Sequence, residues 1–295
     1  AEGLTVFENI LQAQPEINGV FAHNDEMILG AIEAAAAAGR EGIVFVGFDA
    51  VDDAVAAVNA ETLAATVAQQ PALMGATALR AAVTSLQGEM VDASVPVALR
   101  LVQKLTLGVS VSTLNNPFFV ELVDGATAAA ADLGAVELIV LDAQDDSATE
   151  AANIEDLIAQ GVDAILINPT DSDAVVPSVE AANAAGIPVF TIDRSANGGE
   201  VVSHIASDNV AGGKLAAEFL CTTLGGAGKV VELEGIPGTS AARDRGAGFN
   251  EYMAASCAGV EIVAKQTANF NRAEGLTVFE NILQAQAEIN GVFGH

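Results

Sequence analysis

The chain has 295 residues, of which 51% are hydrophobic, and its formal net charge is −28. That length and apolar content exclude a disordered chain and allow a core large enough for two lobes. The charge argues against nucleic acid, whose binding needs a basic face, and fits a solvated acidic exterior.

The first predicted element is a helix over AEGLTVFENILQAQ (1–14), with Leu4, Phe7 (or Val6), Ile10 and Leu11 on one face. Short apolar strands follow at INGVF (17–21), GIVFVGFD (42–49) and LAATVAQ (63–69). LTLGVSVS (105–112) is a β-branched run, after which Asn116-Pro117 opens a helix with proline in its favoured first turn. VELIVLDA (136–143) precedes Ser147-Ala-Thr-Glu150, which has the pattern of a capping box. AILINP (164–169), PVFTID (188–193), VSHIAS (202–207), KVVELEG (229–235) and VEIVAKQ (260–266) continue the series of strands separated by helical stretches. Near-continuous apolar strands alternating with helices predict parallel sheets covered on both faces. There are too many strands for one sheet, so two similar sheets are expected. Polar residues gather at the strand ends, at Asn168, Asp193-Arg194, Asn24-Asp25, Asp49 and Gln69, where open α/β sheets bind ligands.

The chain ends as it begins. Residues 273–295 repeat residues 1–23 with two changes, Pro15 to Ala287 and Ala22 to Gly294. Nothing between the copies repeats them, which excludes a solenoid and points to a closed loop of sequence that overlaps itself.

Several motifs are absent. The glycine clusters Gly198-Gly199, Gly212-Gly213 and Gly225-Gly226-Ala-Gly228 form neither a dinucleotide fingerprint nor a P-loop and read as turns and caps. His23, His204 and His295 have no metal-ligand spacing, and Ser240 has no nucleophile-elbow setting. No metal, cofactor or catalysis is therefore expected. Asp171 and Asp173 read as a helix N-cap with acidic first-turn residues. Cys221 and Cys257 lie near the ends of predicted helices, and a disulfide and two thiols are both open. No apolar run is long enough to span a membrane, and no signal peptide is read in the chain.

The segments STLNNPFF (112–119), INPTDSDAV (167–175), TIDR (191–194), VVSHIASDN (201–209), GTSAARDRG (238–246), NDEM (24–27) and VGFDA (46–50) together resemble the bacterial D-ribose-binding proteins, periplasmic receptors of ABC sugar importers. The order is rotated: the family's order is 105–272 followed by 1–104, and its two ends meet at Lys104-Leu105. The resemblance implies an α/β, two-lobe periplasmic-binding-protein fold (type I), each lobe a parallel sheet flanked by helices, circularly permuted. The first lobe would be 105–207 plus 70–98, and the second 208–272, 1–69 and 99–104. Hinge crossovers would lie near Ser207/Asp208, Gln69/Gln70 and Ala98/Leu99. Residues 273–295 duplicate 1–23, and the N-terminal copy is expected in the native slot with the other displaced, frayed or paired with a second molecule.

The resemblance also implies ligand residues: Asn116, Phe118, Phe119, Asn168, Asp193, Arg194, Arg245 and Phe270, with Asn24, Asp49 and Gln69 from the second lobe. The chemistry is coherent for a sugar. Carboxylates accept, guanidinium groups donate, amides do both, and phenyl faces cover the C–H faces of a pyranose. Singly, each residue has a plainer role: Phe118 or Phe119 as core, Arg194 in a surface ion pair with Asp193, and Asn24, Asp49 and Asn168 as helix caps. Together they describe a monosaccharide site, D-ribose foremost, in a cleft that closes by a hinge without chemistry. The implied location is periplasmic or extracytoplasmic. The implied partners are an ABC permease and a chemotaxis receptor, with the protein a monomer unless the duplicate swaps. The alternative is the effector core of a sugar-responsive repressor, and it would need a helix-turn-helix that the chain lacks.

Overall fold

The computed structural model describes residues 2–14 and 16–295. Pro15, one of the two positions that distinguish the copies, lies outside the described residues. Two compact units result, residues 1–106 with 124–137, and residues 107–123 with 138–295.

The first unit runs α1 (Glu2–Ala13), β1 (Gly19–Phe21), α2 (Asp25–Ala37), β2 (Val44–Asp49), α3 (Asp52–Asn59), β3 (Ala65–Ala68), α4 (Pro71–Leu86) and β4 (Arg100–Gln103). Its sheet has the order β1-β2-β3-β4, parallel except for β4, which runs antiparallel to β3. Apolar residues three and four apart on α1, Phe7 and Leu11 among them, meet Ile28, Ala31 and Ala34 of α2 in the core. The approach is close: a Cβ at Gly30 would lie 2.8 Å from the Leu4 nitrogen. Asn24 caps α2 by accepting from Met27 N–H at 3.0 Å. Buried Asp25 then ties that helix end to the sheet, accepting from the Thr66 hydroxyl (2.7 Å) and Val51 N–H (2.9 Å).

The chain continues with β5 (Leu105–Val111), α5 (Pro117–Leu133) and β6 (Val136–Asp142), which both units share, and then, in the second unit, α6 (Ser147–Gln160), β7 (Ala164–Ile167), α7 (Val176–Ala184), β8 (Val189–Ile192) and β9 (Ser203–Ile205). α8 (Asn209–Thr223), β10 (Gly228–Glu234), α9 (Ser240–Ser256), β11 (Val260–Thr267), α10 (Arg272–Ala285) and β12 (Gly291–Gly294) complete it. A five-stranded sheet has the order β6-β5-β7-β8-β9 and a three-stranded sheet the order β11-β10-β12. Ile154, Leu157, Ile165, Val179 and Val189 fill the first core; Val230, Phe249, Met253 and Phe293 fill the second. α8 and α9 touch through glycine, since a Cβ at Gly213 would lie 2.0 Å from the Arg245 carbonyl. Cys221 and Cys257 are joined in a disulfide that links α8 to the end of α9.

The fold class is as expected in its layers, with parallel sheets flanked by helices. Four local features differ from expectation. First, the compact units divide the chain otherwise than the expected lobes. Residues 208–272 group with 107–207 rather than with 1–69, and 70–98 groups with the first unit, where α4 buries no side chain. Second, the C-terminal copy is not displaced: α10 is formed and β12 pairs with β10, while α1 and β1 pair with β2. Each copy finds a strand of its own to pair with, β2 for one and β10 for the other. Third, Ser147 and Glu150 do not form a capping box. Asp146 is the N-cap of α6, accepting from Thr149 N–H at 2.7 Å, because the Glu150 carboxylate turns inward to Thr170. Fourth, Gly212-Gly213 lies inside α8 rather than at a cap, where lack of a Cβ permits the α8–α9 approach.

Candidate functional site

A cavity of about 1180 Å³ opens in the second unit at the C-terminal ends of β5, β6, β8, β10 and β11. Asn116, Phe118, Phe119, Asp193, Arg194, Arg245 and Phe270 all line it. The backbone turns sharply at these strand ends. Asp145, Asp193, Asn269 and Phe270 hold left-handed φ angles of 58°, 61°, 50° and 55°. Such conformations in non-glycine residues cluster at functional sites. Gly235 belongs to the same design: a Cβ there would lie 2.1 Å from the Phe270 ring, so only glycine lets the ring cover the floor of the cavity.

Arg194 is the centre of the site. The residue is 2% exposed, with the guanidinium carbon 5.1 Å from the Phe119 ring centroid and 5.5 Å from that of Phe270. Arg245 approaches the same Phe270 ring at 5.7 Å. Cation–π attraction strengthens when the cation is desolvated, as it is here. Arg194 donates from Nη1 to the Pro169 carbonyl at 3.1 Å, whereas its buried Nε has no hydrogen-bond partner among the described residues. Asp193 Oδ2 lies 3.9 Å from that Nε, an ion pair too long for a hydrogen bond. A buried donor and a carboxylate therefore stand side by side among the residues that line the cavity. Burial raises the Asp193 pKa, opposed by Arg194, Arg245 and a hydrogen bond from Asn168. Burial lowers that of Arg194, opposed by Asp193, Asp145 and Glu150.

Asn168 does not line the cavity; it lies beneath it. Its Oδ1 accepts from the Ser112 hydroxyl at 2.6 Å and its Nδ2 donates to the Ile192 carbonyl at 3.0 Å, which ties the ends of β5, β7 and β8 together. Phe119 is buried and Phe118 half exposed, their rings edge to face at 5.3 Å. Asn116 accepts from Phe118 N–H at 3.0 Å, which orients this first turn of α5. Arg245 is positioned by Asn209, whose Oδ1 accepts from Nε at 2.8 Å. The surface ion pair considered for Arg194 is excluded by its burial.

Asn24, Asp49 and Gln69 belong to the first unit. Asn24 is the helix cap described above. Gln69 donates to Asp49 at 2.6 Å, and both line a separate cavity of about 440 Å³ in that unit. Asp49 also has a left-handed backbone, φ 118°.

Sequence reasoning missed the placement of Asp145, Glu150 and His295. Asp145 lines the cavity, and burial raises its pKa. The strand-end rule that selected Asp193 would also have selected it, in VLDAQDD. Glu150 is buried and accepts from Thr170 N–H (2.9 Å) and the Thr170 hydroxyl (3.0 Å); burial pushes its pKa up to about 7. His295 lines the cavity and sits 2.8 Å from buried Glu232, which also receives Lys265 at 2.9 Å and Asn250 at 3.0 Å. Burial pushes Glu232 up, but the hydrogen bonds from His295, Lys265 and Asn250 outweigh it and hold the carboxyl below its usual range. Asp171 accepts from Asp173 and Ala174 N–H, both at 2.8 Å, so it closes a turn ahead of α7. Among the described residues no cluster of three or more His, Cys, Asp or Glu could hold a metal ion.

An arginine, carboxylates and phenyl rings thus gather at the C-terminal edge of parallel sheets, where open α/β folds take ligands. The chain belongs to the periplasmic binding protein domain family, whose model matches residues 1–90 and 107–295. It is 52% identical over 193 residues to the ribose import binding protein RbsB of Bacillus subtilis (strain 168), covering 65% of this chain and 62% of that protein. It is 51% identical over 200 residues to RbsB of Escherichia coli (strain K12), covering 68% of this chain and 67% of that protein. The chain thus matches under two thirds of the length of the Bacillus protein. Among solved structures, the periplasmic binding protein component of the arabinose ABC transporter from Shewanella sp. ANA-3, bound to α- and β-L-arabinofuranose, is 32% identical. It superposes with a TM-score of 0.61 over 64% of each chain.

Proposed function

We propose that the cavity around Arg194 binds a monosaccharide, D-ribose foremost, and that the protein serves as the solute receptor of an ABC importer. One observation carries this reading: a buried guanidinium held between two phenyl rings, beside a carboxylate, at the mouth of a strand-end cavity. Arg194 and Arg245 donate to sugar hydroxyls, Asp193 accepts from them, and Asn116 does both. Phe119 and Phe270 hold the arginine and offer apolar faces to the C–H side of the ring. A site of this kind rejects analogues that leave one of its buried groups unpaired. Nothing in this chemistry requires a bond to break.

D-ribose is favoured over other monosaccharides by the ribose import proteins to which the chain is about half identical. The same likeness supports an importer permease as partner, and a chemotaxis receptor is a further candidate. For Asn24, Asp49 and Gln69 a ligand role rests on the resemblance of their segments, with Asp49–Gln69 the better placed pair. Calorimetric titration with D-ribose, D-allose, D-galactose and D-glucose tests the proposal. Saturable heat with D-ribose at one site per chain is expected. Silence with all four sugars would refute it.

A further inference from the structure

The two copies of the duplicated segment use opposite edges of the same strand. In the first copy Ala22 N–H donates to the Val46 carbonyl beside β2, at 3.1 Å. In the second copy Gly294 stands where Ala22 does, and it is the next residue, His295, that donates, to the Leu233 carbonyl of β10 at 3.1 Å. Successive residues of a strand turn their N–H groups to opposite edges. The edge that β1 gives to β2 is therefore the edge that β12 leaves free.

The helices divide in the same way. α1 buries Phe7 and Leu11 and leaves Val6 and Ile10 exposed. α10 buries Ile282, the equivalent of Ile10, and leaves Leu276 61% and Leu283 51% exposed, the equivalents of Leu4 and Leu11. At the positions of Ile10 and Leu11 the copies are complementary, each burying the residue that the other exposes. The exposed Leu276, Leu283 and Val292 of α10–β12 correspond to Leu4, Leu11 and Val20, with which α1–β1 meets the core it shares with α2 and β2.

We propose that this bare face is a docking surface for a second copy of the chain. The incoming copy places its α2 and β2 against α10 and β12 in exchange for its own residues 2–23. The register follows from the first copy: Val44 opposite Gly291, Phe45 opposite Val292 and Val46 opposite Phe293. Because the copies differ at two positions only, the exchange rebuilds the contacts it breaks, with Leu276 and Leu283 taking the places of Leu4 and Leu11. It adds surface as well: α8 packs on β12 and carries exposed Leu215 and Phe219. The occupant is fixed by complementarity, since α2–β2 is the module this sequence is already seen to hold. Donor and acceptor surfaces are different patches, so the contact is head to tail and leads to open chains or rings. It is an exchange of an identical element, joined through an open strand edge.

Light scattering on the full chain over a wide concentration range tests this. The expected mass rises with concentration from 29.8 kDa for one chain to twice that and beyond. The double variant Leu276→Glu, Leu283→Glu, changed only at exposed positions, is expected to stay at the mass of one chain with an unchanged circular dichroism spectrum. Val292→Asp, on the free strand, is the second variant and is expected to do the same. A mass of one chain at every concentration would overturn the proposal, as would variants that associate like the parent. The first result is also what a chain folding its own β2 onto its own β12 would give.

Discussion

Residues 2–23 and 273–295 carry almost one sequence into two surroundings, and they bury different side chains. Phe293 stacks on Phe249 with ring centroids 4.2 Å apart and is 9% exposed, whereas its counterpart Phe21 is 56% exposed. His295 reaches buried Glu232, whereas His23 lies on the surface beside Phe21. Leu11 is 7% exposed and its counterpart Leu283 lies bare. Both copies form a helix and a strand, as their periodicity requires. Which side of each is inside depends on the strand it finds, β2 for one and β10 for the other. Local pattern selects the element and neighbours select its face.

Paired substitutions sharpen that contrast. The largest effect is expected at the phenyl pair: Phe293→Ala should destabilise by about 3–5 kcal/mol, the usual loss for a buried phenylalanine. Phe21→Ala should cost less than about 1 kcal/mol. Denaturant unfolding of both variants measures this, and equal losses would break the comparison. The leucine pair should reverse the order of the copies, with Leu11→Ala costing about 2–5 kcal/mol and Leu283→Ala little.

Two buried glutamates of the second unit should give opposite pH dependence. Glu150 has a folded pKa raised to about 7 from 4.5, so between those values the folded state keeps a proton that the unfolded chain has lost. Its contribution is complete below about pH 4.5 and is lost as pH rises through 7, a change of up to about 3 kcal/mol. Glu150→Gln should flatten that slope. Glu232, held below 4.5 by its partners, contributes above that pH and loses the contribution as pH falls below it. His295→Ala should narrow that acid-side loss while His23→Ala leaves it unchanged. Stability measured from pH 3 to 8 on the four chains checks both signs.

Much of the fold is legible in the sequence, because β-branched runs alternate with alanine-rich helices along the whole length. The cavity is legible for a related reason: Asp193, Arg194 and Phe270 stand just past strand ends, where the topology gathers polar groups. Burial below the surface is not legible. Glu150 has the spacing of a capping residue, and only the tertiary fold brings Thr170 over α6 to turn its carboxylate inward. Asn168 stands after β7, where the strand-end rule looks for a ligand group, and its bonds to Ser112 and Ile192 form only in the tertiary fold. The fate of the duplicate was beyond reach for the same reason. Two identical strands offer no local signal of which neighbour each will take.

The central claim is that the cavity around Arg194 receives a sugar. Titration of D-ribose into the full chain and into Phe270→Ala tests it most directly, because that ring touches both arginines while Gly235 leaves room for it. One saturable site is expected in the parent, weakened by about tenfold or more in the variant, which corresponds to 1.4 kcal/mol or more. Binding of equal strength in both chains, or no binding in the parent, would contradict it.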